Sequence, residues 1–140
     1  MLLGIGVLAG NALAAVWGAA VWLRKEPRWS IGFWPLLRVA QATVVVQAVV
    51  GFILLARGGS APDGLHIAYG LAPLVVSLVS EGMRAGVAQR QLDEVDDLDA
   101  LERSEQIALA RRVTLAEVGV MTVGALLIVT LSLRAYQTGG

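Results

Sequence analysis

Cysteine is absent, histidine occurs once, and only 16% of the 140 residues are charged. Without cysteine the chain is neither a disulfide-stapled module nor a zinc ribbon. A single histidine rules out the H-E-x-x-H zinc pattern, which needs two. GxGxxG and P-loop patterns are missing, and no Ser–His–Asp set sits at compatible depths, so no catalytic group is recognisable. A basic excess is lacking as well: eleven Lys and Arg balance eleven Asp and Glu. Nothing is left over to neutralise phosphates, so no nucleic-acid partner is expected. What the chain has in quantity is apolar residues, 56% of the total. Soluble domains are about half apolar and about a quarter charged. The balance points to an integral membrane protein whose first partner is the lipid bilayer.

A helix needs about 20 mostly apolar residues to cross the roughly 30 Å hydrocarbon core. Four stretches qualify, at about 1–23, 35–56, 65–81 and 115–134, carrying few charges beyond Arg38, Glu81 and Glu117 near their ends. Strands open to lipid would leave backbone groups unpaired, so each reads as a helix. The expected fold is an all-α, four-helix transmembrane bundle forming a single domain over 1–140. A cytoplasmic helical segment at about 82–113 would join spans 3 and 4. Ala12-Leu13-Ala14 resembles a signal-peptide cleavage site. No basic residue precedes the run, and it continues well past Ala14, so the segment is read as a retained span.

Orientation follows from Lys and Arg beside the spans. Arg24, Lys25, Arg28 and Arg38 flank the first connection, and Arg84, Arg90, Arg103, Arg111 and Arg112 the third; the other two faces hold only Arg57 and Arg134. Both charged connections are thus expected in the cytoplasm, with both termini outside the inner or plasma membrane of a multi-pass protein. The net charge of zero is a cancellation: the first connection is net basic and the third net acidic. Trp17, Trp22, Trp29 and Trp34 cluster at the cytoplasmic end of the first span pair, and 29–34 is expected to lie along that interface. Ten of the eleven basic residues are Arg, and Ala, Val, Leu and Gly dominate; this suggests a GC-rich genome.

Gly6, Gly10, Ala14 and Gly18 recur every four residues, a stripe that lets another helix approach closely, within the bundle or in a homodimer. Thr114-Leu-Ala-Glu117 reads as a capping box opening the fourth span, and Asp63 as the cap of the third. Pro73 removes a hydrogen bond within the third span, frees the carbonyl of Tyr69 and predicts a kink. Leu98, Leu101, Ala108 and Leu109 suggest one apolar face in the cytoplasmic segment, as an amphipathic helix or helical pair continuing from the third span.

Polar groups inside a bilayer are costly and are the default functional candidates. Asn11, Gln47 and Ser77 lie near mid-membrane, where interhelical hydrogen bonds are expected or, more sharply, a small polar pocket. Arg38, Gln41, Glu81, Arg84 and Glu117 form a charged cytoplasmic layer, with Arg38–Glu81 as the expected ion pair. The alternative is a proton- or cation-coupled site at Glu81 and Glu117 in a small dimeric transporter. His66, with Gly70 one turn later, is either an interfacial histidine or an axial haem ligand. Met83 lies roughly 25 Å away along a helix, and Met121 is toward the wrong side. Met1 or His66 of a second copy would have to complete the haem site. No cofactor is required, and haem is the one left open. Asp93, Glu94, Asp96, Asp97, Asp99, Glu102 and Glu105 crowd the third connection without the glycine a calcium loop needs. They read as a solvated face or as a dock for a basic partner.

The string Leu36-Leu-Arg-Val-Ala-Gln41, then Gln47 with Gly51, Asp63-Gly-Leu-His66 to Tyr69-Gly70, and Ser80-Glu-Gly-Met-Arg84 resembles an uncharacterised family of small four-span bacterial membrane proteins. This covers most of the first 85 residues and implies a fold but no activity. More distantly, Gln47-x3-Gly51 followed by Leu65-His66 is similar to a span pair in haem A synthases, four-helix haem proteins that use paired histidines. The first expectation for function is an accessory or scaffolding subunit of a membrane complex, homodimeric or bound to another membrane protein. The haem reading predicts a Soret band in the purified protein that is lost in His66→Ala; colourless protein from haem-replete cells would end it.

Overall fold

The computed structural model describes residues 2–59 and 64–138, the side chains of Leu65, His66 and Thr138 excepted. Four helices make up the fold: α1 (Leu2–Arg24), α2 (Ser30–Ala56), α3 (Gly64–Asp93) and α4 (Arg103–Thr138). One 3₁₀ turn, Pro27–Trp29, joins α1 to α2, and no strand occurs among the described residues. All four helices are long and apolar enough to cross a membrane. Each described pair packs antiparallel. Gly10 meets Ala40 and Gly18 meets Phe33 across α1 and α2; Trp22 meets Gly119 and Gly18 meets Thr122 across α1 and α4; Ser80 meets Gly124 across α3 and α4. The α2–α3 seam that closes the ring is the thinnest.

The interior is small-residue packing around a few large side chains. Ala14, Ala15, Val21, Phe33, Leu37, Val118, Met121 and Ala125 form one cluster, and Val7, Val44 and Ile128 a second, nearer the opposite end. Outward faces carry Val39, Val45, Val46, Phe52, Val75, Leu78, Leu126 and Leu127, all exposed. Such an apolar exterior suits lipid tails, which solvate it as well as a core would.

The helices are longer than the spans expected from hydropathy. α2 begins at Ser30 rather than 35, so residues 30–34 form its first turns, and Phe33 is fully buried instead of lying along an interface. α3 has 30 residues and α4 has 36. At about 1.5 Å per residue both exceed a roughly 30 Å hydrocarbon core. α3 passes Pro73 without a break, and Pro73 is buried.

The capping box expected at Thr114–Glu117 is corrected: both residues lie well inside α4, where Thr114 opens nothing. Helix α4 is capped instead by Glu102, the residue before Arg103. The Glu102 carbonyl accepts from the N–H groups of Glu105 and Gln106, and the Glu102 N–H donates to the Glu105 side chain at 3.0 Å. This is the returning half of a capping box. Asp63 lies outside the described residues. The single apolar face across 98–109 is corrected too: Leu98 and Leu101 lie outside any helix, Ala108 is exposed, and only Leu109 is buried. Asp97 interrupts the helical path, because its side chain accepts the N–H of Asp99 at 3.0 Å, an Asx turn that competes with helix. Gln106 then draws the connection back by donating to the carbonyls of Leu101 (3.2 Å) and Leu98 (3.4 Å).

α1 and α2 end alike. The N–H of Glu26 reaches the carbonyl of Val21 and that of Lys25 reaches Trp22, while Gly59 reaches Leu54 and Gly58 reaches Leu55. Both are Schellman turns, with positive φ at Gly58 (85°) and, unusually for a side-chain-bearing residue, at Lys25 (53°).

Most of the small-residue stripe of α1 is consumed inside the bundle. A Cβ at Gly18 would stand 2.1 Å from Thr122 Oγ1 and 2.7 Å from Phe33, one at Gly10 would stand 3.3 Å from Ala40, and one at Gly6 meets nothing within 4 Å. Ala14 is fully buried. Gly18→Val therefore costs about 1–3 kcal/mol through overpacking, seen as a lowered melting temperature in detergent. Gly6→Ala stays within about 0.5 kcal/mol of the parent.

Candidate functional site

One level of the bundle concentrates its charge. On α2, Trp34, Arg38 and Gln41 fall at helical spacing on one face. Arg38 Nη1 donates to both Glu81 Oε1 and, at 2.7 Å, Gln41 Oε1. Gln41 Nε2 donates to the same Glu81 oxygen at 2.8 Å. On α3, Arg84 Nε donates to Glu81 Oε2 at 2.9 Å, and its Nη1 reaches Glu117 Oε1 on α4 at 2.8 Å. The Arg84 guanidinium also lies 5.6 Å from the centre of the Trp34 ring, within cation–π range. The structure thus brings together all five residues of the expected charged layer as an alternating row, Arg38–Glu81–Arg84–Glu117, with Gln41 filling the remaining polar valence.

Sequence alone did not indicate that Arg84 links two carboxylates, or that Trp34 covers it. The 34–38–41 spacing on α2 carries that signal, masked by the clustering of all four tryptophans near one end of the first span pair. Those tryptophans have separate contacts. Trp17 Nε1 donates to the Trp29 carbonyl at 2.9 Å, and Arg24 lies 5.2 Å from the Trp29 ring centre. Trp34 meets Phe33 edge-on.

The row is chemically saturated. Charge-assisted hydrogen bonds are the strong ones, and a partly buried ion pair is sound only when each charge is compensated. Here two arginines meet two carboxylates. Both carboxylates considered for cation coupling, Glu81 and Glu117, are held by arginine.

The mid-depth residues are not joined to one another. Asn11 is fully buried, yet its Nδ2 donates to the Val7 carbonyl in its own helix at 2.9 Å. This corrects the expected interhelical bond, because a helical asparagine can satisfy its amide one turn back. Asn11 Oδ1 and Gln47 Oε1 are buried without a partner among the described residues. Ser77 is half-buried and bonds to neither. His66 belongs to the first turn of α3, and space is open at Gly70, where a Cβ would meet nothing within 4 Å. The ligand reading of His66 rests on a side chain outside the described residues, as does Met1. Against protein-family models, curated proteins and solved structures, the chain finds no match.

Removing the shared carboxylate leaves Arg38 and Arg84 competing for Glu117 or lipid. Glu81→Gln is expected to destabilise the detergent-solubilised protein by about 1–3 kcal/mol. Glu26→Gln, which loses only the exposed Arg28 pair, costs less than about 1 kcal/mol. Thermal melts of the two variants against the parent check both.

Proposed function

We propose that the chain is a multi-pass protein of the inner or plasma membrane, both termini outside, serving as a non-catalytic accessory or scaffolding subunit of a membrane complex. The reading rests on a division of charge. In the polar layer every charge is spent inside the bundle, so that layer fixes helix positions. The acids of the α3–α4 connection are spent on nothing comparable: none of Asp93, Glu94, Asp96, Asp97, Asp99, Glu102 and Glu105 forms an ion pair among the described residues. A cytoplasmic acidic rim of this kind suits a basic segment of a second membrane protein, and complementary charge would set its register.

Purification in mild detergent should return the chain in a particle heavier than the monomer. That particle should dissociate as salt approaches about 1 M, where the Debye length falls to about 3 Å. The variant Glu94→Gln/Asp96→Asn/Asp97→Asn/Asp99→Asn should lose the partner while keeping the helical circular dichroism of the parent. Recovery of free monomer alone, or a partner indifferent to salt and to these substitutions, would sink the proposal.

A further inference from the structure

A cleft of about 610 Å³ runs along the seam of α1, α3 and α4, within the roughly 300–1,000 Å³ of small-molecule sites. Its walls are apolar, with Trp22 and Leu23 from α1, Val79 and Met83 from α3, and Ala116 and Val123 from α4. Trp22 lies across α4 at Gly119, where a Cβ would come 3.1 Å from the indole Nε1. That indole N–H has no acceptor among the described residues.

Beyond the end of the cleft nearest the charged connections stand three basic residues. Arg112 precedes Ala116 by one turn of α4, about 6 Å along the axis. Its neighbour Arg111 donates from Nη2 to the carbonyl of Lys25 at 2.7 Å, which places the end of α1 beside the two arginines. The positive φ of Lys25 makes that turn. Lys25, Arg111 and Arg112 are all exposed, and none is in an ion pair among the described residues. Elsewhere at this end Arg28, Arg38 and Arg84 each have a carboxylate, Arg24 lies over the Trp29 ring and Arg90 donates to the Gly86 carbonyl, while Arg103, nine residues before Arg112, is in no ion pair among the described residues.

We propose that this cleft binds one anionic phospholipid, its acyl chains along α1, α3 and α4 and its phosphate among Lys25, Arg111 and Arg112. Arg111 and Arg112 are consecutive on α4 and Arg111 reaches the backbone of Lys25, so three cations without a carboxylate partner share this end, and a phosphate would neutralise them. Basic pockets between spans are known to select anionic headgroups on electrostatic grounds. The turn from Ala116 to Arg112 matches the step from acyl boundary to headgroup. Trp22, which meets α4 at Gly119, about one turn further into the membrane than Ala116, lines the acyl part of the cleft. A second copy seated twofold-symmetrically on the same face would bring a second set of the same three cations toward the first, so lipid fits the charge and a self-partner does not.

Native mass spectrometry of the full chain in detergent tests this with phosphatidylglycerol and phosphatidylcholine of identical acyl chains. The parent should retain one phosphatidylglycerol about tenfold more tightly than phosphatidylcholine. Lys25→Gln/Arg111→Gln/Arg112→Gln should bring the ratio near one. Arg112→Gln alone, which spares the Arg111–Lys25 contact, should lower it part-way should the triple variant fail to fold. Ala116→Phe, which fills the cleft and keeps the cations, should weaken both lipids. Equal affinity for the two lipids in the parent would overturn the proposal. So would selectivity untouched by Arg112→Gln, or a dimer that forms in place of bound lipid.

Discussion

Within a bilayer no water is at hand to solvate an ionised side chain, so a charge carried by one span must find its counter-charge on another. Glu81 answers that constraint for three helices at once. One carboxylate oxygen takes Arg38 and Gln41 from α2, and the other takes Arg84, which passes the charge on to Glu117 of α4. Because α2 and α3 otherwise meet sparsely, this polar row is what closes the ring on the side where apolar packing is thinnest. It also fixes the relative heights of the helices, since hydrogen bonds have a direction and a length that hydrophobic contact lacks.

Elsewhere close approach takes the place of polarity. α1 meets α2 and α4 through Gly10, Ala14 and Gly18, and α4 offers Gly119 to Trp22 and Gly124 to Ser80. Removing a side chain brings backbones together, which in lipid is a principal source of helix–helix attraction because tails are as apolar as leucine. The two devices are complementary: glycine notches set how near the helices come, and the Glu81 row sets how far each slides.

Four helices, their apolar spans and the membership of the charged layer were legible in the sequence, because each depends on strong one-dimensional signals: run length, hydropathy, and ionised residues sharing a depth. Boundaries were less legible. Hydropathy marks where a helix can sit in lipid, not where it stops, so α3 and α4 extend past their apolar segments. Thr114–Glu117 carries the letters of a capping box, but α4 had already begun at Arg103, and Glu117 found Arg84 instead. The Asx turn at Asp97 defeats the apolar periodicity around it through a local side-chain bond that a pattern of Leu and Ala does not register. At Asn11 too a local bond intervenes, its amide N–H going to the Val7 carbonyl one turn back rather than to another helix.

The extension of α3 past its polar row has a consequence for how the two charged regions affect each other. Asp93 stands 12 residues beyond Glu81, about 18 Å of rigid helix. That is more than twice the Debye length of about 8 Å at physiological ionic strength. The helix acts as a spacer: at physiological ionic strength a counter-charge gained or lost around the acidic loop is largely screened before it reaches the Glu81 row. The loop can gain or lose charged company while the geometry of the bundle stays as it was.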